Sequence, residues 1–195
     1  MKNIIMAVTG ASGARYARRL AQMFASNELH LHLVISDPGR IILTTELELT
    51  ELTVATLLDH SATNVTLYPC QDIGARLASG SFITDGMVIC PCSGHTLAAI
   101  ANGMGDNLIT RAALVTLKEN RRLILVPREM PLNQIDLANM LRVSQAGGLI
   151  CPACPGFYLR PRSVDDLVDF VVGRVLDLLQ IPHQLATRWN PDPPS

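Results

Sequence analysis

Small and polar residues that follow the first apolar segment are the earliest in the sequence that could bind a ligand. Residues 4–8 form a short apolar run, typical of a strand that is covered on both faces. Gly10, Ser12 and Gly13 allow the backbone to turn sharply and to approach a ligand closely. A helix predicted over residues 14–25 directs its free N–H groups and its positive dipole end at that turn. The segment therefore favours a bound phosphate, and with it a phosphorylated cofactor or nucleotide.

The spacing within this turn differs from that of three established motifs. Thr9 and Ala11 interrupt the dinucleotide pattern G-x-G-x-x-G, and no Lys-Ser/Thr follows Gly13 as it would in a Walker A motif. Ala14 stands where the esterase pattern G-x-S-x-G has its last glycine. A glycine-rich turn without any ligand is the structural alternative.

Length and composition indicate one domain that associates with copies of itself. The chain has 195 residues, enough to bury a sizeable core, and 48% of them are hydrophobic. Only 17% of the residues are charged, against about 25% in typical soluble domains. So few charges predict a homo-oligomer, and a tightly covered monomer is the alternative.

Charge and hydropathy patterns argue against several function classes. The net charge of −1 provides no basic surface for nucleic acid. No apolar run reaches the roughly 18 residues of a membrane span, and no signal segment precedes the first strand. With five cysteines, an odd number in a chain of this size, these features predict a cytoplasmic protein with reduced thiols. Neither nucleic acid nor membrane is an expected partner.

Strand-like and helix-like patterns alternate along the chain. The strand patterns cover residues 4–8, 29–35, 65–68, 86–91, 123–127 and 148–152. After the first helix, helical patterns cover residues 50–59, 96–101, 108–118, 132–145 and 164–180. This alternation predicts an α/β fold with helices on both faces of a mostly parallel sheet, a three-layer sandwich of the Rossmann-like or flavodoxin-like class. We expect one domain over residues 1–189 and a C-terminal tail over residues 190–195.

Ligands of such sheets bind outside the carboxyl ends of the strands. This rule selects the polar segments that follow the predicted strands. They are residues 9–13, 36–40, 91–95, 127–130 and 152–162. We expect these segments to meet at one edge of the sheet and to form the functional site.

Several segments of the chain together resemble the flavin prenyltransferase family. The matching segments are V-T-G-A-S-G-A (8–14), S-G-S-F (79–82), D-G-M-V-I-C-P-C-S (85–93), N-L-I-T-R-A-A (107–113), L-K-E-N-R-R-L-I-L-V-P-R-E-M-P-L (117–132), P-G-F-Y (155–158), V-G-R-V-L-D (172–177) and R-W (188–189). They span nearly the whole chain in the family's order. The P-R-E-x-P segment beside L-K-E-x-R-R is a specific match.

The resemblance implies an enzyme that modifies a flavin. Members of the family bind FMN and take dimethylallyl phosphate as the prenyl donor. They join the dimethylallyl group to N5 and C6 of reduced FMN without a metal, and they supply the prenylated FMN to a partner decarboxylase. The resemblance also implies a homo-oligomer, a dodecamer, whose subunits each have one flavin-binding domain.

The resemblance further implies roles for individual residues. The implied flavin contacts are Gly10, Ala11, Ser12, Ser36, Cys92, Ser93, Gly94, His95 and Arg128. The implied prenyl-phosphate contacts are Tyr158, Arg174, Lys118, Trp189 and, from a neighbouring subunit, Arg111. The implied catalytic residues are Glu129, Lys118, Ser12 and Glu46.

These residue types suit the chemistry of prenyl transfer. Cleavage of the C–O bond leaves an allyl cation, and Lys118 and Arg174 can stabilise the departing phosphate. The aromatic faces of Tyr158 and Trp189 can stabilise the cation in a site free of water. Glu129 can transfer a proton during the later ring closure, a role that the departing phosphate could share.

Each of these assignments has a structural alternative. Arg128 and Glu129 could form a surface ion pair, and Arg174 could lie on a solvated helix face. Tyr158 could be an aromatic residue at the edge of the core. Ser12 could cap the first helix, which would not prevent it from binding flavin.

Two departures from the family's pattern affect the phosphate sites. Asp37-Pro38 follows Ser36 where relatives often have Lys-Ala, which removes a positive charge and stiffens the predicted loop. His95 stands where a lysine is common, so phosphate binding there could depend on pH. These departures keep a non-catalytic FMN carrier as an alternative. A flavin-dependent cysteine decarboxylase is the enzymatic alternative, although it would not need a set of phosphate-binding residues.

Four cysteines lie at neighbouring strand ends and depart from the family's pattern. Cys90 and Cys92 end one strand, and Cys151 and Cys154 follow the last. Four thiolates could bind zinc, and the C-x-x-C pair could be redox-active. Because C-x-C pairs are uncommon in zinc folds, we predict reduced, structural cysteines and no metal.

Overall fold

Six parallel strands form the sheet of this computed structural model, which describes residues 1–185. They are β1 (Lys2–Val8), β2 (Leu29–Ile35), β3 (Val65–Tyr68), β4 (Gly86–Cys92), β5 (Leu123–Pro127) and β6 (Leu149–Ile150). The strand order is β3-β2-β1-β4-β5-β6, and every pair of neighbours runs parallel. The chain therefore moves outward from β1 in one direction and from β4 in the other.

Helices connect these strands on both faces of the sheet. They are α1 (Ala14–Ala25), α2 (Asp37–Glu46), α3 (Val54–Leu58), α4 (Gly94–Ala101), α5 (Leu108–Lys118), α6 (Gln134–Gln145) and α7 (Val164–Leu178). A short 3₁₀ turn, Arg76–Ala78, precedes β4.

Alternate side chains of the strands contribute to two separate hydrophobic clusters. Met6 and its same-face neighbours pack against Phe24 of α1 and Val172 of α7. Ile5 and its neighbours pack on the other face against Ala112 of α5, together with residues of α4 and α6. The sheet is thus covered on both sides, which confirms the predicted α/β three-layer sandwich.

Helix α2 begins where the sequence analysis expected a stiff loop. The Ser36 hydroxyl accepts a hydrogen bond from the N–H of Gly39 (3.1 Å) and caps the helix. Pro38 lies in the first turn, where its missing N–H leaves no hydrogen bond unmade, and Asp37 faces the positive end of the helix dipole. The loop interpretation of residues 36–40 was therefore wrong, because serine, aspartate and proline here start a helix.

The other predicted elements either agree with the structure or differ from it by a few residues at one or both ends. The predictions for β2, β3, β5, α1 and α5 agree with the structure at both ends. The helix expected over residues 50–59 is reduced to α3, because Thr53 caps it. In β6 only two residues count as strand, but the N–H groups of Cys151 and Ala153 continue the pairing with β5 by donating to Leu125 O (2.8 Å) and Pro127 O (3.1 Å).

Two remaining expectations concern membranes and the C-terminus. Within residues 1–185, no helix has the length and apolar character needed to cross a membrane. Trp189 and the tail predicted over residues 190–195 lie outside the described residues.

A buried histidine connects β2 to β3 and to β1. His32 is 2% exposed, and its Nδ1 and Nε2 lie 3.0 Å from the Tyr68 hydroxyl and 3.2 Å from Asn3 Oδ1. Burial, followed by the charges of His30 and Arg76, lowers the pKa of His32 to about 4. The imidazole is therefore neutral in the folded protein near pH 7.

We expect His32 to make the protein less stable in mild acid. The unfolded chain binds the proton near the ordinary pKa of about 6.5, whereas the folded chain binds it only near pH 4. The contribution of neutral His32 is complete above about pH 6.5 and is lost as the pH falls towards 4, on the order of 3 kcal/mol in total. Urea unfolding between these pH values should show the fall in the wild type.

His32→Gln provides the matched comparison for this prediction. Glutamine can still form hydrogen bonds with Tyr68 and Asn3 but does not titrate. The difference from wild type at pH 8 gives the cost of the substitution itself. Parallel pH profiles of the two proteins would contradict the prediction.

Candidate active site

Thr9, directly after β1, connects the carboxyl end of β1 to that of β4. Its N–H and its hydroxyl both donate to Pro91 O (3.2 and 2.9 Å), and the hydroxyl accepts from the N–H of Ser93 (2.8 Å). Residues 10–13 and 93–95 therefore form adjacent turns at one edge of the sheet. The sequence-based prediction included Thr9 in the polar segment of residues 9–13 but gave it no individual role. Its position at the end of a buried strand was the available signal, because a buried hydroxyl needs partners.

The carboxyl end of β2 joins the same edge. The N–H of Ser36 donates to Val8 O (3.0 Å), which places the start of α2 beside the first turn. Gly10 packs directly against α2, since a Cβ added there would lie 2.5 Å from the Cβ of Pro38. Gly10 is therefore required by packing, independently of any ligand.

Glu46, the last residue of α2, places its carboxylate at the start of α1. Oε2 accepts hydrogen bonds from the N–H groups of Gly13 (3.0 Å) and Ala14 (2.8 Å), and the Ser12 hydroxyl is hydrogen-bonded to the same carboxylate. Partial burial would raise the pKa of Glu46. The three hydrogen bonds and the charge of Arg128 outweigh burial and lower that pKa, so the carboxylate is ionised.

This contact corrects two sequence-based expectations about α1. Gly13 is the N-cap residue and Ser12 does not cap the helix, because the Glu46 carboxylate occupies the first N–H groups. A phosphate bound at those N–H groups would have to displace Glu46. The anion that the turn attracts is therefore supplied by the chain itself.

The N-terminus of α4 lies beside this turn. Ser93 caps α4 by accepting from the N–H of Thr96 (3.3 Å), while the N–H groups of Gly94 and His95 have no partner within the helix. A Cβ added to Gly94 would approach only Asp136 Oδ1, at 3.6 Å. His95 is exposed in this first turn. Of the starts of α1 and α4, that of α4 is thus the one whose first N–H groups are not already bound by a carboxylate of the chain, although the Asp136 carboxylate lies nearby.

Cys92, the last residue of β4, is buried beneath this edge, and its Sγ lies 3.6 Å from Ser93 O. Its side chain is 1% exposed and packs in the cluster beneath α4 and α5. Burial raises the pKa of its thiol to about 12. Only the backbone of Cys92 is therefore available for the predicted flavin contact.

Arg128 and Glu129 follow β5 at the same edge. Arg128 Nε donates to the carbonyl oxygen of Ser12 (3.2 Å), and Glu129 Oε1 accepts from the N–H of Met130 (3.3 Å). Both side chains are exposed, and in residues 1–185 neither forms an ion pair. The ion-pair alternative was therefore wrong. The guanidinium has five N–H donors, so the contact with Ser12 leaves the others for a ligand.

A second part of the site is a cavity of about 340 Å³ between β6 and α7. Phe170 and Arg174, one helical turn apart, line it together with Cys151 and Cys154. The Tyr158 ring packs edge-on against Phe170, with the ring centroids 5.6 Å apart. Tyr158 and Arg174 therefore lie on the same side of α7. The alternative of a core-edge aromatic residue holds in part for Tyr158, which packs on Phe170. The alternative of a solvated helix face holds in part for Arg174, which is exposed and pairs with Asp177 (3.1 Å).

Tyr16 lies between the first turn and this cavity. A Cβ at Gly13, whose φ is +132°, would lie 3.1 Å from Tyr16 Cδ2. Burial, and then the nearby Cys90 and Cys154 thiols, raise the pKa of Tyr16. Tyr16 was not among the residues predicted from the sequence. The sequence did contain one indication, because Tyr16 lies in the first turn of a helix that follows a glycine-rich turn.

Lys118 lies at the opposite edge of the sheet from Arg128. It ends α5, which runs antiparallel to the strands, and the next residues lead into the amino end of β5. Its ammonium pairs with Glu119 (3.2 Å). Within one subunit the structure therefore does not bring Lys118 to the predicted site. Arg111 is exposed in the first turn of α5 and precedes Lys118 by two helical turns, so both cations lie on one exposed side of α5.

The S-G-S-F segment lies at the amino edge together with Lys118. The Arg121 guanidinium donates to Phe82 O (2.7 Å) and Gly80 O (2.6 Å). A Cβ at Gly80 would collide with the carboxylate of Glu119. Two of the segments that carry the resemblance thus form one unit, far from the carboxyl ends of the strands.

The five cysteines are all free thiols. In the part of the chain that the structure describes, no three His, Cys, Asp or Glu side chains are placed to hold a metal. The zinc alternative for Cys90, Cys92, Cys151 and Cys154 therefore has no support in this geometry.

Comparisons with known proteins agree with this architecture. The model of the family described as Flavoprotein matches residues 1–176. A flavin prenyltransferase UbiX from Halalkalibacterium halodurans is 46% identical over 187 residues, 94% of this chain and 91% of that protein.

Two solved structures are similar over nearly their whole length. The crystal structure of AnUbiX (PadA1) in complex with FMN and dimethylallyl pyrophosphate has a TM-score of 0.87 and 40% identity, covering 97% of each chain. A dodecameric FMN-dependent UbiX-like decarboxylase from Escherichia coli O157:H7 has a TM-score of 0.86 and 43% identity, covering 96% of this chain and 99% of that one. The chain therefore belongs to the Flavoprotein family and, within it, to the flavin prenyltransferases.

Proposed function

We propose that this chain transfers a dimethylallyl group from dimethylallyl phosphate to N5 and C6 of reduced FMN. The observation that carries the proposal is the arrangement around Ser12. The Ser12 hydroxyl contacts the ionised Glu46 carboxylate, and the Ser12 carbonyl oxygen accepts a hydrogen bond from Arg128. We further propose that prenylated FMN passes to a partner decarboxylase and that the enzyme acts in the cytoplasm. Five unpaired thiols are in keeping with that compartment.

The carboxyl edge has the features that an FMN site needs. The N–H groups of Gly94 and His95 and the guanidinium of Arg128 can bind the FMN phosphate. The backbone of residues 10–12 and the Ser36 and Ser93 side chains can contact the isoalloxazine, with Cys92 contributing only its backbone. The protein's part is to bind and orient the flavin.

Tyr158 and Arg174 are suited to the donor phosphate beside the flavin. Arg174 can donate to phosphate oxygens, and its pairing with Asp177 (3.1 Å) holds its side chain along α7. Tyr158 adds a hydroxyl and an aromatic face close to the cavity. Trp189 belongs to the same proposed set but lies outside the described residues.

Proton transfers are assigned to Ser12, Glu46 and Glu129. The Glu46 carboxylate orients the Ser12 hydroxyl and can accept its proton, while exposed Glu129 can exchange protons with water. When bound, reduced FMN supplies the nucleophilic N5 and C6 atoms, and no residue of the chain needs to be a nucleophile.

Arg111 and Lys118 are proposed to complete the phosphate site of a neighbouring subunit. Their position on one exposed side of α5, and the distance of Lys118 from the carboxyl edge, support a contribution across a subunit contact. We therefore propose a homo-oligomer, a dodecamer like the E. coli relative, in which each site contains residues of more than one chain.

The direct test is mass spectrometry of flavin after reaction with reduced FMN. One reaction contains dimethylallyl monophosphate and a second contains the diphosphate, so the donor is identified as well. We expect flavin whose mass has increased by one dimethylallyl group. Bound but unmodified FMN in both reactions would support the carrier alternative. Oxidative decarboxylation of a peptide with a C-terminal cysteine would support the cysteine decarboxylase.

We expect Arg174→Ala and Tyr158→Phe to weaken use of the donor more than binding of FMN. Loss of a charge-assisted hydrogen bond should raise the KM for the prenyl phosphate about 10-fold to 100-fold in Arg174→Ala, and less in Tyr158→Phe. The Kd for FMN, measured by fluorescence quenching, should change little.

Arg142→Ala is the matched control for this prediction. Arg142 is also an exposed helical arginine with a hydrogen-bond partner, Asn102 Oδ1 (2.7 Å), but it belongs to α6. The control should change neither constant. Equal losses of FMN and donor affinity in Arg174→Ala would count against separate binding roles.

Mixed oligomers can test whether Lys118 acts in a neighbouring subunit. Lys118→Ala and Arg174→Ala should each be nearly inactive alone. When the two variants are co-expressed with different tags and purified as mixed oligomers, about a quarter of the sites should combine an intact Arg174 with an intact Lys118 from a neighbour. Recovery of activity towards that fraction is the expected result, and no recovery would contradict the shared site.

A further inference from the structure

We propose that Cys151 and Cys154 form a modification site, a thiol pair that a hydroperoxide oxidises to a disulfide within one subunit. The pair lies in the wall of the cavity that contains Arg174. Oxidation there would alter the position of the segment that carries Tyr158. This second part rests on the proposed function, whereas the disulfide itself does not.

Backbone hydrogen bonds bring the two cysteines to one side of the chain. Cys151 continues β6, because its N–H donates to Leu125 O (2.8 Å), and Ala153 is held in the same way to Pro127 O (3.1 Å). The N–H of Cys154 then donates to Pro152 O (2.7 Å), which closes a tight turn. Both side chains line the same cavity of about 340 Å³. A separation of three residues across a turn is compatible with the short Cβ–Cβ distance of a disulfide.

Only this pair combines proximity with access to solvent. Cys154 is exposed and Cys151 is half-buried, whereas Cys70, Cys90 and Cys92 are 7%, 1% and 1% exposed. Peroxides react with thiolates that they can reach. Cys154 is therefore the thiol expected to react first, and Cys151 is the thiol placed to resolve the product.

The oxidation balances with hydrogen peroxide as the oxidant. The Cys154 thiol gives up its proton, its thiolate attacks one peroxide oxygen and the O–O bond breaks. A sulfenic acid forms, and the released hydroxide takes up the thiol proton to give one water. The Cys151 sulfur then attacks the Cys154 sulfur, the S–S bond forms, and the hydroxyl leaves as a second water. Two electrons pass from the two thiols to the peroxide, and a dithiol reductant reverses the change.

A disulfide would affect the donor site through the short segment that follows Cys154. Tyr158 is four residues further along, and a Cβ at Gly156 would lie 2.8 Å from Tyr158 Cε1, so the turn is tightly packed. A shift of Cys154 towards Cys151 is thus expected to change the packing of Tyr158 on Phe170. The KM for the prenyl phosphate should rise about tenfold in the oxidised enzyme, because small misplacements near a reacting group have large effects.

Peptide mass spectrometry of the intact oligomer tests the site without any activity assay. The protein is treated with hydrogen peroxide, unreacted thiols are blocked with iodoacetamide, and the chain is digested with trypsin. Residues 143–162 form one tryptic peptide that contains both cysteines and no other. We expect this peptide to lose two hydrogens and to escape alkylation, and dithiothreitol to reverse both changes.

Three variants make the result specific. Cys151→Ser and Cys154→Ser should not form the disulfide, whereas Cys70→Ser should form it as the wild type does. A peptide that gains oxygen atoms instead, or a covalent dimer on a non-reducing gel, would overturn the proposed site. The wild-type peptide decides the question even if a serine variant fails to fold.

Kinetics of the oxidised and reduced wild type test the coupling to Tyr158. A KM that rises on oxidation and recovers with dithiothreitol, in wild type but not in Cys154→Ser, is the expected result. A disulfide that forms without any change in KM would overturn the coupling. Absence of prenyl transfer in the reduced protein would overturn the proposed function and leave the mass measurement of the site intact.

Discussion

The hydrogen bonds of Thr9 are the constraint on which the rest of the site depends. β1 and β4 are neighbours in the sheet, but the chain leaves them towards opposite faces, into α1 and α4. Such a point opens a crevice at the carboxyl ends of the strands, where ligands of α/β proteins bind. Thr9 spans this crevice with both its N–H and its hydroxyl and so fixes the two turns relative to each other. Glu46 and Arg128 then contact the first of these turns from the end of α2 and from the end of β5.

The starts of α1 and α4 at this edge differ in the charges that face them. Glu46 neutralises the positive end of α1 and remains ionised, because the N–H groups of Gly13 and Ala14 offset the cost of its burial. A phosphate is then left with α4 and the guanidinium of Arg128 as its partners. The same carboxylate holds the Ser12 hydroxyl. Under the proposed function, one residue therefore both stabilises a helix and can accept a proton beside the flavin.

Hydrophobic periodicity predicted the sheet, and the rule that ligands bind at the carboxyl ends of strands selected the segments of the candidate site. Neither could predict which side chains from distant segments contact each other. The apolar runs define β2 and β5, and the turn of residues 10–13 follows directly from the end of β1. The contact of Glu46 with Ser12 was invisible, because it requires α2, whose proline and glycine resemble those of a loop. Lys118 was assigned to the site by resemblance, whereas the antiparallel direction of α5 carries it to the other edge. The surroundings of Tyr16 were not predicted for a similar reason, since Cys90 and Cys154 come from two other elements.

The position of Lys118 at the amino edge offers a chemical reason for self-association, because there it can only contribute to a site in another subunit. With 17% charged residues, the surface has few groups that oppose contact between copies, so assembly is favoured by burial of apolar area. The amino edge also carries the S-G-S-F segment, which Arg121 holds by two hydrogen bonds. The ion pair of Lys118 with Glu119 is exposed and contributes almost nothing to stability. In the proposed assembly, the lysine is available to a phosphate that another subunit presents. Under the proposed function, the assembly is therefore the smallest unit that contains a complete phosphate site.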